Sequence, residues 1–322
     1  MPNLNVAVIG SPDYAKGLGK RSTTSDVTFY DVKRDDITLS LVEPTKYPDK
    51  LASLFYASSM ADAAVVVVEQ MGPVFGESVV MLDCLGVKTG YIVLRGYVTE
   101  EQIVPLVKGT FLEGYSVVED DPIQLRENLL LQASKDAFAS VGPEDRTGSV
   151  SVDHYFDVKG VGTVVLGCVA DGSIRRHDTV RVLPLGGQAE IRSIQKHDDD
   201  FDVAGKGDRV GLALKGIDVS DLDRGTVLST DERLVARRDI DARASLVKYW
   251  LNPLREGMIV HIGHWMQFEP ARIESMGLGD QWRTPKLQLK LQKDLVYQPG
   301  AKAVITYLEG GKLRVIGTLE MQ

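Results

Sequence analysis

Residues 163–169 read Thr-Val-Val-Leu-Gly-Cys-Val, a largely β-branched run between tight turns, and this run constrains the fold most. β-Branched side chains are stiff at χ1 and fit a pleated surface, so the run is expected as a buried strand. Gly160 and Gly162 form a tight turn ahead of it, after a short strand over 155–158. Asp171-Gly172 is expected to turn the chain again. Residues 179–183 and 189–194 alternate apolar and polar side chains, and Leu185-Gly-Gly187 closes them into a hairpin. Residues 210–214 and 224–229 supply two more strands. Short strands at this spacing, separated by turn residues, predict a closed antiparallel barrel.

The flanking segments read differently. Over 1–118 apolar runs (6–9, 37–42, 64–68, 91–94) alternate with stretches of helical periodicity (51–58, 77–85, 100–108). That alternation predicts a mostly parallel sheet with helices on both faces. Leu125, Leu129, Leu130 and Leu131 follow on a helical pattern, then a polar Gly/Pro stretch to Gly148 marks a boundary. Residues 232–241 are charged and expected to be exposed. Beyond them the chain is again all β, with strands over 244–248, 258–263, 269–273, 287–291, 303–307 and 313–317. The organisation expected is 1–122 as an α/β domain, 123–147 as helix and linker, and barrels over 148–234 and 235–322.

Composition excludes some classes of function. Apolar content of 43% and charged content of 25% are ordinary for a globular protein. The longest apolar run, 63–68, is too short to span a bilayer, and no signal peptide is read at the start. Cys84 and Cys168 both lie in apolar runs, which predicts buried free thiols and a cytoplasmic setting. A net charge of −8 argues against a general nucleic-acid coat, although a local cluster of Lys and Arg can still bind RNA.

The block over 148–230 resembles domain 2 of elongation factor Tu and of the archaeal type of SelB. The elements that carry the resemblance are Gly160-x-Gly-Thr-Val-Val-x-Gly-x-Val-x-x-Gly172, Gly205-x-Gly-Asp-Arg-Val-Gly211 and Asp223-Arg-Gly-x-Val-Leu228. A weaker resemblance to a SelB-like third barrel rests on Pro253-Leu-Arg-Glu-Gly-Met258 and a His-x-Gly strand. The resemblance implies a translational GTPase plan, in which a P-loop G-type α/β domain precedes two antiparallel barrels. Residues 23–29 then look like the end of switch I, and 60–68 with Gly72, Pro73 and Glu77 like the elements after switch II.

The nucleotide motifs of that family are degenerate here. A phosphate loop needs Gly-x4-Gly-Lys-Ser/Thr, whereas this chain reads Gly10-Ser-Pro-Asp-Tyr-Ala-Lys-Gly17. Pro12 removes one cradle amide. An alternative alignment treats 17–22 as a shortened helix end. The switch II run is Glu43-Pro-Thr-Lys-Tyr47, in which Tyr47 replaces the water-positioning histidine. The guanine motif is replaced by Arg95-Gly-Tyr-Val98. Charge-assisted hydrogen bonds contribute about 1.5–3 kcal/mol each, so losing three removes roughly 5–9 kcal/mol of nucleotide affinity. Gly10, Lys16, Lys20 and Glu43 are left as a vestigial nucleotide site. No cofactor is expected to be required, GTP and Mg²⁺ are expected to bind weakly if at all, and efficient GTP hydrolysis is not expected.

The resemblance further implies a pocket for the 3′ end of aminoacyl-tRNA in the first barrel. Asp153, His154 and Phe156 fall on its strand, Arg209 stands near the aminoacyl position, and Arg224 belongs to the Asp-Arg-Gly motif. The partners expected are aminoacyl-tRNA, the ribosome, or both, with the protein a monomer and no membrane involved. Two alternatives remain open: a weak GTPase in which Lys16 or Lys20 reaches phosphate and Glu43 holds Mg²⁺, and a docking module without a tRNA site. His261 and His264 are separated by an odd step, so on a strand they face opposite sides and are not expected to bind metal. Asp198, Asp199 and Asp200 read as a solvated loop, and Trp250 and Trp265 as packing residues. Arg237-Arg238 and Lys33-Arg34 read as exposed charge.

Overall fold

A computed structural model describes residues 2–136, 147–277 and 281–322. The α/β domain contains β1 (Asn3–Ile9), β2 (Lys20–Thr24), β3 (Thr28–Arg34), β4 (Ile37–Glu43), α1 (Leu51–Ser59), β5 (Ala63–Val68) and α2 (Pro73–Leu85). It continues through β6 (Thr89–Leu94), α3 (Glu100–Val107), β7 (Ser116–Val118) and α4 (Pro122–Asp136). The sheet order is β2-β3-β4-β1-β5-β6-β7. The pairs from β4 through β1, β5 and β6 to β7 are parallel, and β2-β3-β4 are antiparallel. β5 shows why the centre of such a sheet reads as an unbroken apolar run. Ala64, Val66 and Val68 face the cluster that includes Leu54, Phe55 and Met81 of α1 and α2, while Ala63, Val65 and Val67 face Leu125, Leu129 and Ala133 of α4.

The first barrel uses β8 (Gly148–Val158), β9 (Gly162–Arg175), β10 (Thr179–Leu183), β11 (Gly187–Lys196), β14 (Arg209–Lys215) and β15 (Val227–Ser229), with β12 (Asp199–Phe201) and β13 (Val203–Gly205) as short additions. Its order β10-β15-β8-β9-β14-β11 closes because β11 also pairs with β10. The turn expected at Asp171-Gly172 is instead a bend inside β9. Gly172 has φ +61°, and a Cβ there would lie 1.8 Å from the Thr147 carbonyl oxygen, so the strand bends through glycine and runs on to pair with β13.

The second barrel is β16 (Val235–Leu246), β17 (Ile259–His264), β18 (Gln267–Gly277), β19 (Lys286–Tyr297), β20 (Lys302–Thr306) and β21 (Val315–Met321), closed in the order β16-β19-β18-β17-β20-β21. Residues 235–241 therefore belong to a barrel strand, not to a connection; Arg237, Arg238 and Asp239 face solvent while Ile240 and Ala242 enter the core. The polar stretch 141–146 expected as a linker lies outside the described residues.

The β17–β18 hairpin holds all three units together. A Cβ on Gly263 would meet the Phe55 ring of α1 at 2.4 Å. The Met266 amide donates to Ser151 Oγ of β8 at 3.1 Å. Gln267 exchanges two 2.8 Å hydrogen bonds with the Val296 backbone. Trp265 packs on Leu183, Val227, Leu234 and Val296 between the barrels, and Trp250 is buried in the second barrel, as packing residues should be. Among the described residues no helix is long and apolar enough to cross a membrane.

Candidate functional site

Of the residues expected as a vestigial nucleotide site, Gly10 and Lys16 lie in the loop after β1, Lys20 opens β2 and Glu43 ends β4. Gly10 has φ +104° and its Cα passes so close to β5 that a Cβ would lie 2.0 Å from the Val67 carbonyl oxygen. The shortened helix end considered for 17–22 is not formed. A single 3₁₀ turn, Tyr14–Gly17, is followed directly by β2, so Gly17 closes the turn and Lys20 begins an edge strand. The physical reason lies in the next strand: Lys20 and Arg21 pair with Asp31 and Tyr30 of β3, which takes the backbone into a ladder. Residues 23–29 take in the end of β2, the connection 25–27 and the start of β3. Lys16 and Lys20 are both exposed.

Several amides of this loop are already occupied. Lys16 N–H donates to the Asp13 carbonyl at 3.2 Å, and the N–H groups of Leu18 and Gly19 both donate to the Ala15 carbonyl at 2.9 Å. The Ala15 N–H donates to Glu43 Oε1 at 2.8 Å, and the Tyr30 hydroxyl donates to Glu43 Oε2 at 2.9 Å. Glu43 is buried, and burial raises its carboxyl above the usual range, although these two donors oppose the shift. A cavity of about 190 Å³ adjoins the loop, lined in part by Gly10, Ser11, Asp13, Arg21, Glu43 and Tyr47. Its charged side chains are two carboxylates and one guanidinium, and Arg21 pairs with Asp13 at 2.8 Å.

A second network, not anticipated from sequence, closes the carboxyl edge of the parallel strands. In open α/β sheets that edge is where ligands bind. Here Arg95, the first residue after β6, donates to Asp120 at 2.7 Å and to Glu69 at 3.2 Å. Ser11 donates to Glu69 at 2.7 Å, and the Tyr14 hydroxyl donates to Asp120 at 3.1 Å. The Arg95 guanidinium lies 4.9 Å from the Tyr14 ring centre. Burial, with Asp120 as hydrogen-bond acceptor, raises the Tyr14 phenol. The departure from the expected guanine motif was readable at Arg95; its four partners follow three different strands, β1, β5 and β7, and leave no local pattern.

Asp153, His154, Arg209 and Arg224 come together, but at the seam between the α/β domain and the first barrel. Asp153 of β8 is buried and bidentate to Arg209 of β14, with the Arg209 Nη2 contact at 2.9 Å. His154 Nδ1–H donates to Asp153 Oδ1 at 2.6 Å. Burial alone would raise the Asp153 carboxyl; the Arg209 charge and the His154 hydrogen bond outweigh it and hold the group at about 2. The Arg209 guanidinium sits 3.8 Å from the Phe29 ring centre, and the His154 ring meets the same Phe29 edge-to-face. Arg224 reaches the β2–β3 connection, pairing with Asp26 at 2.5 Å and donating to Ser25 Oγ at 3.1 Å, and it lies over Tyr56. Phe156 stands apart, 39% exposed on the same strand.

His261 and His264 take different surroundings. His261 stacks on Phe268, whereas His264 is buried, donates Nδ1–H to the Lys302 carbonyl at 3.0 Å, and is held by burial near pKa 4. Cys84 and Cys168 are free thiols, Cys168 fully buried and Cys84 partly so, and burial raises both.

Comparisons with known proteins agree with this architecture. The family model for elongation factor Tu domain 2 matches residues 162–229. The uncharacterized protein MJ0325 of Methanocaldococcus jannaschii is 35% identical over 320 residues, covering 98% of this chain and 99% of its own length. The selenocysteine-specific elongation factor of the same organism is 26% identical over 289 residues, 83% of this chain. That alignment covers 61% of the elongation factor, so the chain spans less than two thirds of its length. The crystal structure of translation elongation factor SelB from Methanococcus maripaludis, in complex with the GTP analogue GppNHp, superposes with a TM-score of 0.82 at 22% identity. The match covers 100% of this chain and 79% of that one, a likeness of fold. A full-length relative, the domain 2 match and the shared three-part architecture together place the chain in the translational GTPase-like family of SelB and elongation factor Tu.

Proposed function

We propose that this protein is a nucleotide-independent relative of the elongation factors that binds aminoacyl-tRNA or the ribosome in the cytoplasm, with no cofactor required. The observation that carries the reading is the Glu43 carboxylate on the Ala15 amide. A phosphate loop attracts anions because its amides are free and the helix behind it is positive at that end. Here the helix is replaced by one 3₁₀ turn, and the amide is already given to a buried acid. A phosphate placed about 4 Å from an ionised carboxylate meets a repulsion of about 4 kcal/mol at an effective dielectric of 20. Arg95, tied to Glu69 and Asp120, supports the same reading at the base end.

The domain arrangement is held by side chains that need no nucleotide. Arg209 on Phe29 and Arg224 on Asp26 fasten the first barrel to the α/β domain. Arg314, just before β21, pairs with buried Glu77 of α2 at 2.6 Å and fastens the second barrel. Asp153, His154, Arg209 and Arg224 therefore act as the supporting wall of the proposed tRNA-end pocket, and Phe156 offers the accessible ring.

The test is protection of aminoacyl-tRNA esters from hydrolysis, with and without GTP, with uncharged tRNA as competitor. Protection independent of GTP is expected, and Phe156→Ala should weaken it by about 1–3 kcal/mol, the worth of a stacked base. Protection that appears only with GTP would overturn the reading in favour of a GTPase using Lys16, Lys20 and Glu43. An absence of protection would remove the tRNA site and leave ribosome docking to be tested by cosedimentation.

A further inference from the structure

The junction of the α/β domain with the open end of the second barrel carries three exposed aromatic rings, each beside a cation. Phe111 is 41% exposed, and the Lys88 ammonium lies 5.9 Å from its ring centre. Tyr249 is 40% exposed, with Lys248 at 4.9 Å. Trp282 is 44% exposed, with the Arg283 guanidinium at 4.1 Å. Soluble domains bury most of their large rings, so three half-exposed rings in one region call for an account.

These pairs belong to one surface. Arg283 donates to the carbonyls of Val247 at 2.9 Å and Trp250 at 2.6 Å, which fixes the Trp282 segment against the turn that carries Lys248 and Tyr249. Lys248 in turn donates to the Lys108 carbonyl at 3.4 Å, and its Nζ lies 3.6 Å from where a Gly109 Cβ would stand. Gly109 leads directly to Phe111. The rings thus follow one another across the domain boundary. Beneath them Trp250 is buried against Tyr307, so the turn has a rigid base.

The charge of the strip is opposite to that of the chain. Lys88, Lys248 and Arg283 form no ion pair among the described residues, since their polar partners are carbonyl oxygens or ring faces. Among the described residues, the carboxylates hydrogen-bonded to this stretch include Asp83 and Glu113, which accept the Phe111 and Gly109 amides at 3.0 and 2.8 Å. With Lys108, four cations gather here in a molecule of net charge −8. A cation with no carboxylate partner suits a phosphate, and a half-exposed flat ring suits a base. On the turn itself the strongly exposed aliphatic side chain is Leu251, 76% exposed.

We propose that this strip binds single-stranded RNA, with Phe111, Tyr249 and Trp282 stacking bases and Lys88, Lys248 and Arg283 meeting the backbone. No residue is shared with the tRNA-end pocket around Phe156, so the two sites stand or fall separately. Recognition through π-faces and backbone charge implies little sequence preference and strong dependence on salt.

The test is fluorescence anisotropy of a fluorescein-labelled oligouridylate of about 12 nucleotides with the full chain at low salt, a length within the site sizes of single-strand binders. Binding is expected, and Trp282→Ala and Tyr249→Ala should each weaken it about tenfold, one stacked base apiece. Trp282→Phe should recover most of the loss. Lys248→Glu should lower the slope of log affinity against log salt by about 0.7, the share of one phosphate on a single strand. Phe156→Ala should leave oligouridylate binding unchanged. Absence of binding at low salt would overturn the proposal, as would ring variants that bind like the unaltered protein while keeping its circular dichroism. Equal binding of poly-glutamate, insensitive to the ring variants, would assign the strip to acidic proteins instead.

Discussion

Replacing Asp153 by Asn tests the physical account of the domain seam. Asp153 is held at about 2 against an ordinary 3.8, which by linkage is about 2 kcal/mol of stability at neutral pH. The folded value lies below the unfolded one, so this contribution is complete above about pH 4 and is lost as pH falls toward 2. The substitution also strands the Arg209 guanidinium, 12% exposed and facing the Phe29 ring, without its counter-charge. Breaking one partner out of a buried pair costs about 3–5 kcal/mol, more than the titration alone, because the remaining charge stays desolvated. Urea unfolding followed by circular dichroism should show Asp153→Asn losing about 3–5 kcal/mol at pH 7. The difference from the unaltered protein should shrink as the pH approaches 2. Combining Asp153→Leu with Arg209→Met removes both charges and should recover most of the loss, as apolar replacement of buried pairs often does. A loss below about 1 kcal/mol at pH 7, the scale of an exposed pair, would refute the claim that this pair is desolvated and fixed.

Three further substitutions probe the other contacts. Gly263→Ala places a methyl 2.4 Å from the buried Phe55 ring, so thermal unfolding should register about 1–3 kcal/mol of overpacking between the α/β domain and the second barrel. Glu77→Gln leaves Arg314 half-paired and should cost about 3 kcal/mol, read as a lowered unfolding midpoint. Burial raises the Glu43 carboxyl, so its contribution has the opposite sign to that of Asp153: stability is gained as pH falls through that raised value. Glu43→Gln can still accept from Ala15, and should abolish that acid gain while changing neutral stability by less than about 1 kcal/mol in chemical denaturation.

The barrels were legible in the sequence because their signals are local. Alternation over 179–183 and 189–194 with Gly186-Gly187 between them fixes a hairpin without reference to the rest of the chain. The β2–β3 hairpin was not legible, since β2 reads Lys-Arg-Ser-Thr-Thr, an edge strand with little apolar face to alternate. The site divides in the same way. The departures from the expected motifs at Gly17, Glu43 and Arg95 could be read from single positions, but the contacts these residues make could not. Glu43 meets Tyr30 and Ala15, Arg95 meets Glu69 and Asp120, and Arg209 meets Asp153 and Phe29, partners 13 to 180 residues away. A charged residue that departs from a family's pattern has two physical futures: it faces solvent, or it is buried and finds a counter-group. Glu43 and Arg209 take the second course and Arg95, about a third exposed, takes it in part; each finds its partners inside the chain. Contacts formed internally cost no binding entropy and do not come and go with ligand concentration, which is what a fixed arrangement of these three domains requires.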